Sequence, residues 1–160
     1  MDKFEEYKLF VEDTARFTDR RQTVNNIYVA VNSILLGASG LLLGQFFSEN
    51  NWQGLLAVLM AFAGIVICLQ WIQLIGKYKT LVAFRIRHLR KMEEHDDMKD
   101  SHKMYHQEDE LYPCDEDGNI IKGKGLNISD REKWLPRSFA IIYVVLILAV
   151  GLKLCGVFPS

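Results

Sequence analysis

Proline is almost missing from this 160-residue sequence, with Pro113, Pro136 and Pro159 its only three. No glycine precedes Gly37 either, so nothing in the first 36 residues interrupts a helix. Cysteine is scarce too. Cys68, Cys114 and Cys155 share no short spacing, which argues against a disulfide framework or a thiolate zinc site and for small buried side chains. A P-loop, a nucleophile elbow and a phosphate-binding glycine motif are all lacking, so we expect no enzyme and no cofactor or metal. No apolar stretch lies in the first 23 residues, so no cleavable signal peptide is expected.

Charge is missing from long stretches. Residues 27–47 and 54–76 contain no Asp, Glu, Lys or Arg, and residues 138–158 contain only Lys153. A helix needs roughly 20 apolar residues to cross hydrocarbon about 30 Å thick, and each block meets that length. A buried helical hairpin in a soluble protein would show a polar face every turn, which these blocks mostly do not. Lys153 can snorkel to headgroups. The net charge of -1 conceals this segregation.

The fold class expected is an all-α integral membrane protein. It has an N-terminal amphipathic helix, three transmembrane helices and a long cytoplasmic helix extending span two, in a homo-oligomer. Its parts are residues 1–23 (amphipathic helix), 24–76 (transmembrane hairpin), 77–137 (cytoplasmic helical domain) and 138–160 (third span). Lys3, Lys8, Arg16, Arg20 and Arg21 precede span one, and thirteen more Lys and Arg lie within 77–137, whereas 48–53 has none. Positive connectors stay inside, so the N-terminus is expected in the cytoplasm and the C-terminus outside. Trp52, Trp71 and Trp134 lie near span ends, as interface anchors do.

Tyr7, Phe10, Thr14, Phe17, Arg21, Val24 and Tyr28 repeat at helical spacing. This stripe can lie on the membrane or, more in keeping with its balanced charge, pack on a neighbouring subunit. With no proline or glycine from Lys77 to Tyr112, span two is expected to continue as one helix to near Pro113, about 54 Å beyond the membrane. A lone helix of that length needs partners, which points to homo-oligomerisation. Its first part carries Lys77, Lys79, Arg85, Arg87, Arg90 and Lys91 with no acid, and residues 93–117 carry eleven acids. Beside a span, the basic cluster suits anionic lipid better than nucleic acid, and it lacks the interleaved aromatics of a single-strand binder. Asp117-Gly118 signals a tight turn, and Ser129 to Glu132 form a capping box ahead of span three.

Three sets of polar residues invite function. Asn25, Asn32 and Ser39 recur every seven positions, with Asn26, Ser33 and Gly40 one place on. The first set can line a wet path in an oligomer, or its Asn residues can bond across helices. Ser33, Gly37, Gly40 and Gly44 allow close helix approach. His88, His95 and His102 also repeat by seven, with His106 four beyond; these are solvated helix residues or, ringed in an oligomer, a gate near neutral pH. Asp115, Asp117 and Asn119 start like a calcium loop, but Gly118 is misplaced and no Glu closes it. Arg90-x4-His95 resembles the R-x4-6-H pattern of HEPN ribonucleases, where the pair assists phosphodiester cleavage, but the chain has little room for that soluble bundle.

The stretches EYKLFVEDTARFTDRRQTVNNIYVAVNSILLG, QWIQLIGKYKTLVAFRIRHLRKMEE and EKWLPRSFAIIYVV resemble the RipA-like octameric family of small bacterial membrane proteins, which includes membrane accessory proteins of type VI-B CRISPR systems. The resemblance covers most of the chain. It implies an oligomeric ring in the bacterial inner membrane whose central pore strengthens antiphage defence by disturbing the membrane potential. Arg90 and His95 then look like the divergent HEPN pattern of those accessories, with a structural or gating role in a juxtamembrane helix. The partners implied are further copies, membrane lipids and a CRISPR effector or other cytoplasmic protein. A non-conducting scaffold that binds a cytoplasmic partner is the alternative. SLATT-type two-span effectors are a more distant likeness, from which the third span departs.

Overall fold

The first helix forms because 36 residues pass without a helix breaker, and Glu5 and Glu6 sit at its positive end. In the computed structural model, which describes residues 3–48, 51–95, 103–111, 113 and 132–155, helix α1 runs unbroken from Lys3 to Ser48. Helix α2 follows from Asn51 to Glu93, then a short α3 from Met104 to Leu111, and α4 from Trp134 to Leu154. No strand occurs among the described residues. The chain divides into two compact units: Met1–Val24 with Ile75–Arg131, and Asn25–Leu74 with Glu132–Ser160.

In the first unit the start of α1 lies antiparallel to the end of α2. Phe17 tilts against Tyr78 with ring centroids 5.2 Å apart, and Phe10 against His88 at 5.1 Å. Arg85 lies 4.5 Å over the Phe17 ring and pairs with Asp13. Tyr7 donates its hydroxyl to Glu93 at 2.9 Å. Tyr7, Phe10, Thr14 and Phe17 are thus the face that α1 turns to α2 of its own chain. The membrane or neighbouring-subunit contact expected for this stripe is corrected accordingly. The extension of α2 thus has a partner in α1 of its own chain.

The single long helix to Pro113 is corrected as well. Helix α2 ends at Glu93, where the amide of Glu94 bonds to the Arg90 carbonyl and that of His95 to the Met92 carbonyl in a tightening turn. Glu93 and Glu94 place negative charge at a helix C-terminus, where the dipole disfavours it, and the sequence goes on with Asp96 and Asp97, a residue type that propagates helix poorly.

The second unit contains parts of all three apolar helices. Along α2, Gly54, Ala57, Ala61, Gly64, Cys68 and Trp71 are all buried, a 3-4-3-4-3 spacing dominated by small side chains. This seam lets Tyr143, Leu146 and Val150 of α4 approach closely. A Cβ at Gly64 would fall on the Tyr143 ring, so this position must be glycine. Lipid offers apolar side chains no hydrophobic gain from meeting one another, so close van der Waals packing of this kind supplies the attraction. The outer faces are apolar: Ile34 is 71% and Leu41 75% exposed, with Phe62, Ile141 and Val145 also bare. Large uncovered apolar surface fits lipid or protein neighbours rather than water. Among the described residues three helices are long and apolar enough to cross a membrane.

The capping box at Ser129, the Asp117-Gly118 turn and the Asp115 loop lie outside the described residues. Glu132 is described, and α4 starts after Lys133 without a side-chain cap.

Candidate functional site

Polar residues inside the membrane unit have to find partners, because an unpaired group away from water costs several kcal/mol. Asn32 is fully enclosed, and both its side-chain nitrogen and its side-chain oxygen have partners. Its Nδ2 donates to the Tyr28 carbonyl at 2.9 Å, and its Oδ1 accepts from the Cys68 thiol at 3.3 Å. Tyr143 reaches in from α4 and donates its hydroxyl to the Asn32 carbonyl at 3.0 Å. Ser39, also enclosed, donates back to the Leu35 carbonyl at 2.7 Å. Asn25 accepts from the Trp71 indole at 2.8 Å, and that indole stacks on Tyr28 with centroids 5.5 Å apart.

The stripe Asn25, Asn32, Ser39 is therefore the face of α1 that bonds within its own chain. As candidates for pore lining, Asn32 and Ser39 are corrected: their side chains meet no space that water or a second copy can enter. Trp71 is corrected likewise, from interface anchor to enclosed hydrogen-bond donor, whereas Trp52 and Trp134 are exposed. The signal was present in the sequence, since Cys68 and Tyr143 are polar positions in otherwise apolar spans. Pairing them with Asn32 required knowing the rotation of each helix.

The neighbouring set behaves oppositely. Asn26, Ser33, Gly37, Gly40 and Gly44 are exposed, and a Cβ built on any of the three glycines meets nothing within 4 Å. Small side chains that admit close approach here have no intrachain neighbour to admit.

In the other unit, sequence reasoning missed the main polar centre. Glu93, the last residue of α2, is 1% exposed. It accepts from the Tyr7 hydroxyl at 2.9 Å, from the amides of Tyr105 and His106 at 3.2 Å each, and from His106 Nδ1 at 2.7 Å. Tyr105 and His106 are the second and third residues of α3, whose amides an N-cap side chain normally satisfies. Lys103, which precedes the helix, has no side-chain acceptor, so Glu93 caps α3 from across the fold. Arg90 adds a bond from Nε to the Tyr105 carbonyl at 3.1 Å. Burial alone would raise the Glu93 pKa, but the bonds from His106, from the Tyr105 and His106 amides and from Tyr7 outweigh it and lower it. His106 is raised, first by its bond to Glu93, against a smaller effect of burial, and further by Glu94. Desolvation, then Glu93, pushes the Tyr7 hydroxyl far up. The centre thus holds a buried carboxylate that accepts from a hydroxyl, two backbone amides and an imidazole nitrogen.

The other histidines are scattered among different partners. His88 lies between Phe10 and Phe84, and His95 Nδ1 is 3.2 Å from Lys3 Nζ. His102 lies outside the described residues. Lys3, Glu6, Tyr7, His88, Met92 and His95 line an open cleft of about 220 Å³. Arg90 and His95 serve different contacts, Arg90 on α3 and His95 on α1. Among the described residues no three His, Cys, Asp or Glu side chains are grouped to hold a metal.

A search of curated proteins and a search of solved structures each find no match. The model of the octameric membrane protein family (8xMP) matches residues 4–152. Its span takes in the four described helices but for Lys3 at the start of α1 and the last two residues of α4, and both polar centres. The three apolar helices and this match agree, and the chain belongs to the octameric membrane protein family.

Proposed function

We propose that the protein is an octameric pore or channel-like effector of the bacterial inner membrane, which enhances antiphage, CRISPR-associated defence by perturbing that membrane. The observation that carries this reading is the uncovered polar and small face of α1. Asn26 and Ser33 are exposed on an apolar helix, and lipid is a costly neighbour for polar side chains. In a family that assembles eightfold, the alternatives to lipid are another copy or a shared water-filled axis. The charge distribution supports a cytoplasmic N-terminus and an external C-terminus. The fully committed partners of Glu93 support a non-enzymatic role, and the separate contacts of Arg90 and His95 favour structure over cleavage.

The test is ion flux from liposomes holding the purified octamer. The wild type conducts. Gly40→Leu, whose added side chain meets nothing within the chain, narrows or distorts the path and lowers flux severalfold. Asn32→Leu lowers stability first, because it removes a buried bonding centre. Tight liposomes around a well-formed octamer would sink the conducting reading.

A second reading, a scaffold that binds a cytoplasmic protein such as a CRISPR effector, draws on α3. Its Met104, Glu108 and Glu110 are exposed, an acidic surface with an apolar residue at one end. Tight liposomes together with retention of such a partner by the full-length protein would favour it.

A further inference from the structure

His106 has a carboxylate at each ring nitrogen: Nδ1 lies 2.7 Å from Glu93 Oε2 and Nε2 lies 3.4 Å from Glu94 Oε1. A neutral imidazole offers one donor and one acceptor, so one of these contacts would set lone pair against lone pair. Only the imidazolium donates to both. Through its Glu93 bond, His106 holds α3 against the last residue of α2, and that residue is also held by Tyr7 of α1.

We propose that His106 is a pH-sensitive latch, whose protonation ties α3 to the end of α2 and the start of α1 and whose deprotonation loosens it. The inference stands apart from conduction and holds equally for a pore or a scaffold. The described titratable and charged groups around it come from three elements. Helix α1 supplies Tyr7, and α2 supplies Arg90 and Glu93, with Glu94 in the turn that follows. On α3 itself are Tyr105, Glu108 and Glu110, with Lys103 just before it. Arg90 directs its Nε to the Tyr105 carbonyl at 3.1 Å, and the contacts to the two imidazole nitrogens come from Glu93 and Glu94.

The direction follows from linkage. A histidine whose folded pKa lies above its ordinary 6.5 adds stability that is complete below 6.5 and is lost as pH rises through the folded value. Glu93, held below its ordinary 4.5, is already ionised over that range and sets no limit there. The latch is therefore closed in mild acid and weakens on the alkaline side.

Amide exchange over residues 104–111 of the full-length protein in lipid nanodiscs, corrected for intrinsic rates, tests this at about pH 6 and about pH 9. Protection in the wild type falls severalfold at the higher pH. His106→Gln, which keeps a donor but cannot titrate, removes that dependence. Glu94→Gln, at a residue whose side chain is 68% exposed, leaves α3 docked and moves the midpoint to lower pH. Equal wild-type protection at both pH values overturns the proposal, and so does an undiminished pH dependence in His106→Gln. Should His106→Gln lose all protection, an unmoved midpoint in Glu94→Gln overturns it.

Discussion

Tyr143 shows how much one side chain can specify inside a membrane. Its ring lies where a Gly64 Cβ would be, and its hydroxyl finds the Asn32 carbonyl. Tyr143→Phe keeps the ring and loses the bond, so we expect a loss of about 1 kcal/mol, read as a lower thermal midpoint in detergent. Gly64→Ala pushes a methyl into a buried ring and is expected to cost about 1–3 kcal/mol by the same assay. Gly37→Ala, in open space, is expected to leave that midpoint within error. The sequence marked all these positions as small or polar within apolar blocks. It could not say which glycines were already covered, because a helix of small residues reads alike whether its neighbour belongs to the same chain or another. Hence the stripe reads equally as a wet path or as bonding across helices, and the structure encloses Asn32 and Ser39 while the next positions, Ser33 and Gly40, are open.

At the scale of elements, periodicity and the lack of breakers were enough for α1, and apolar length was enough for the three candidate spans. The end of α2 was not legible. No proline or glycine stops it; the end comes where acidic residues follow in the sequence and where the first amides of α3 meet Glu93. Such a contact depends on residues twelve and thirteen positions away, beyond any local helix rule. Glu93→Ala strands the Tyr7 hydroxyl and two α3 amides, at about 1–3 kcal/mol for a buried unpaired group. The expected readout is loss of exchange protection at Tyr105 and His106, with the apolar helices unchanged. Unaltered protection there would mean that α3 is held by something other than this carboxylate.

The whole molecule is where the sequence spoke both most and least clearly. Three apolar blocks and an octameric kinship were readable, and the family match spans residues 4–152. The long extension of α2 does not by itself call for a second copy, since α1 supplies its partner; oligomerisation rests on the family instead. Native mass spectrometry from detergent should give eight copies, and bulky residues at Gly37 and Gly40 together should weaken that assembly more than they lower the thermal midpoint of the single chain. A particle of unchanged mass and flux in that double variant would place the open face of α1 against lipid.

The notch at Gly64 also bears on how the third helix reaches its seat. Sliding α4 by one turn would present Phe139 or Ile147 to that slot, and neither carries a hydroxyl for the waiting carbonyl. The helix synthesised after both its companions is thus seated by one side chain, and misplacement by a turn parts the Tyr143 hydroxyl from its acceptor.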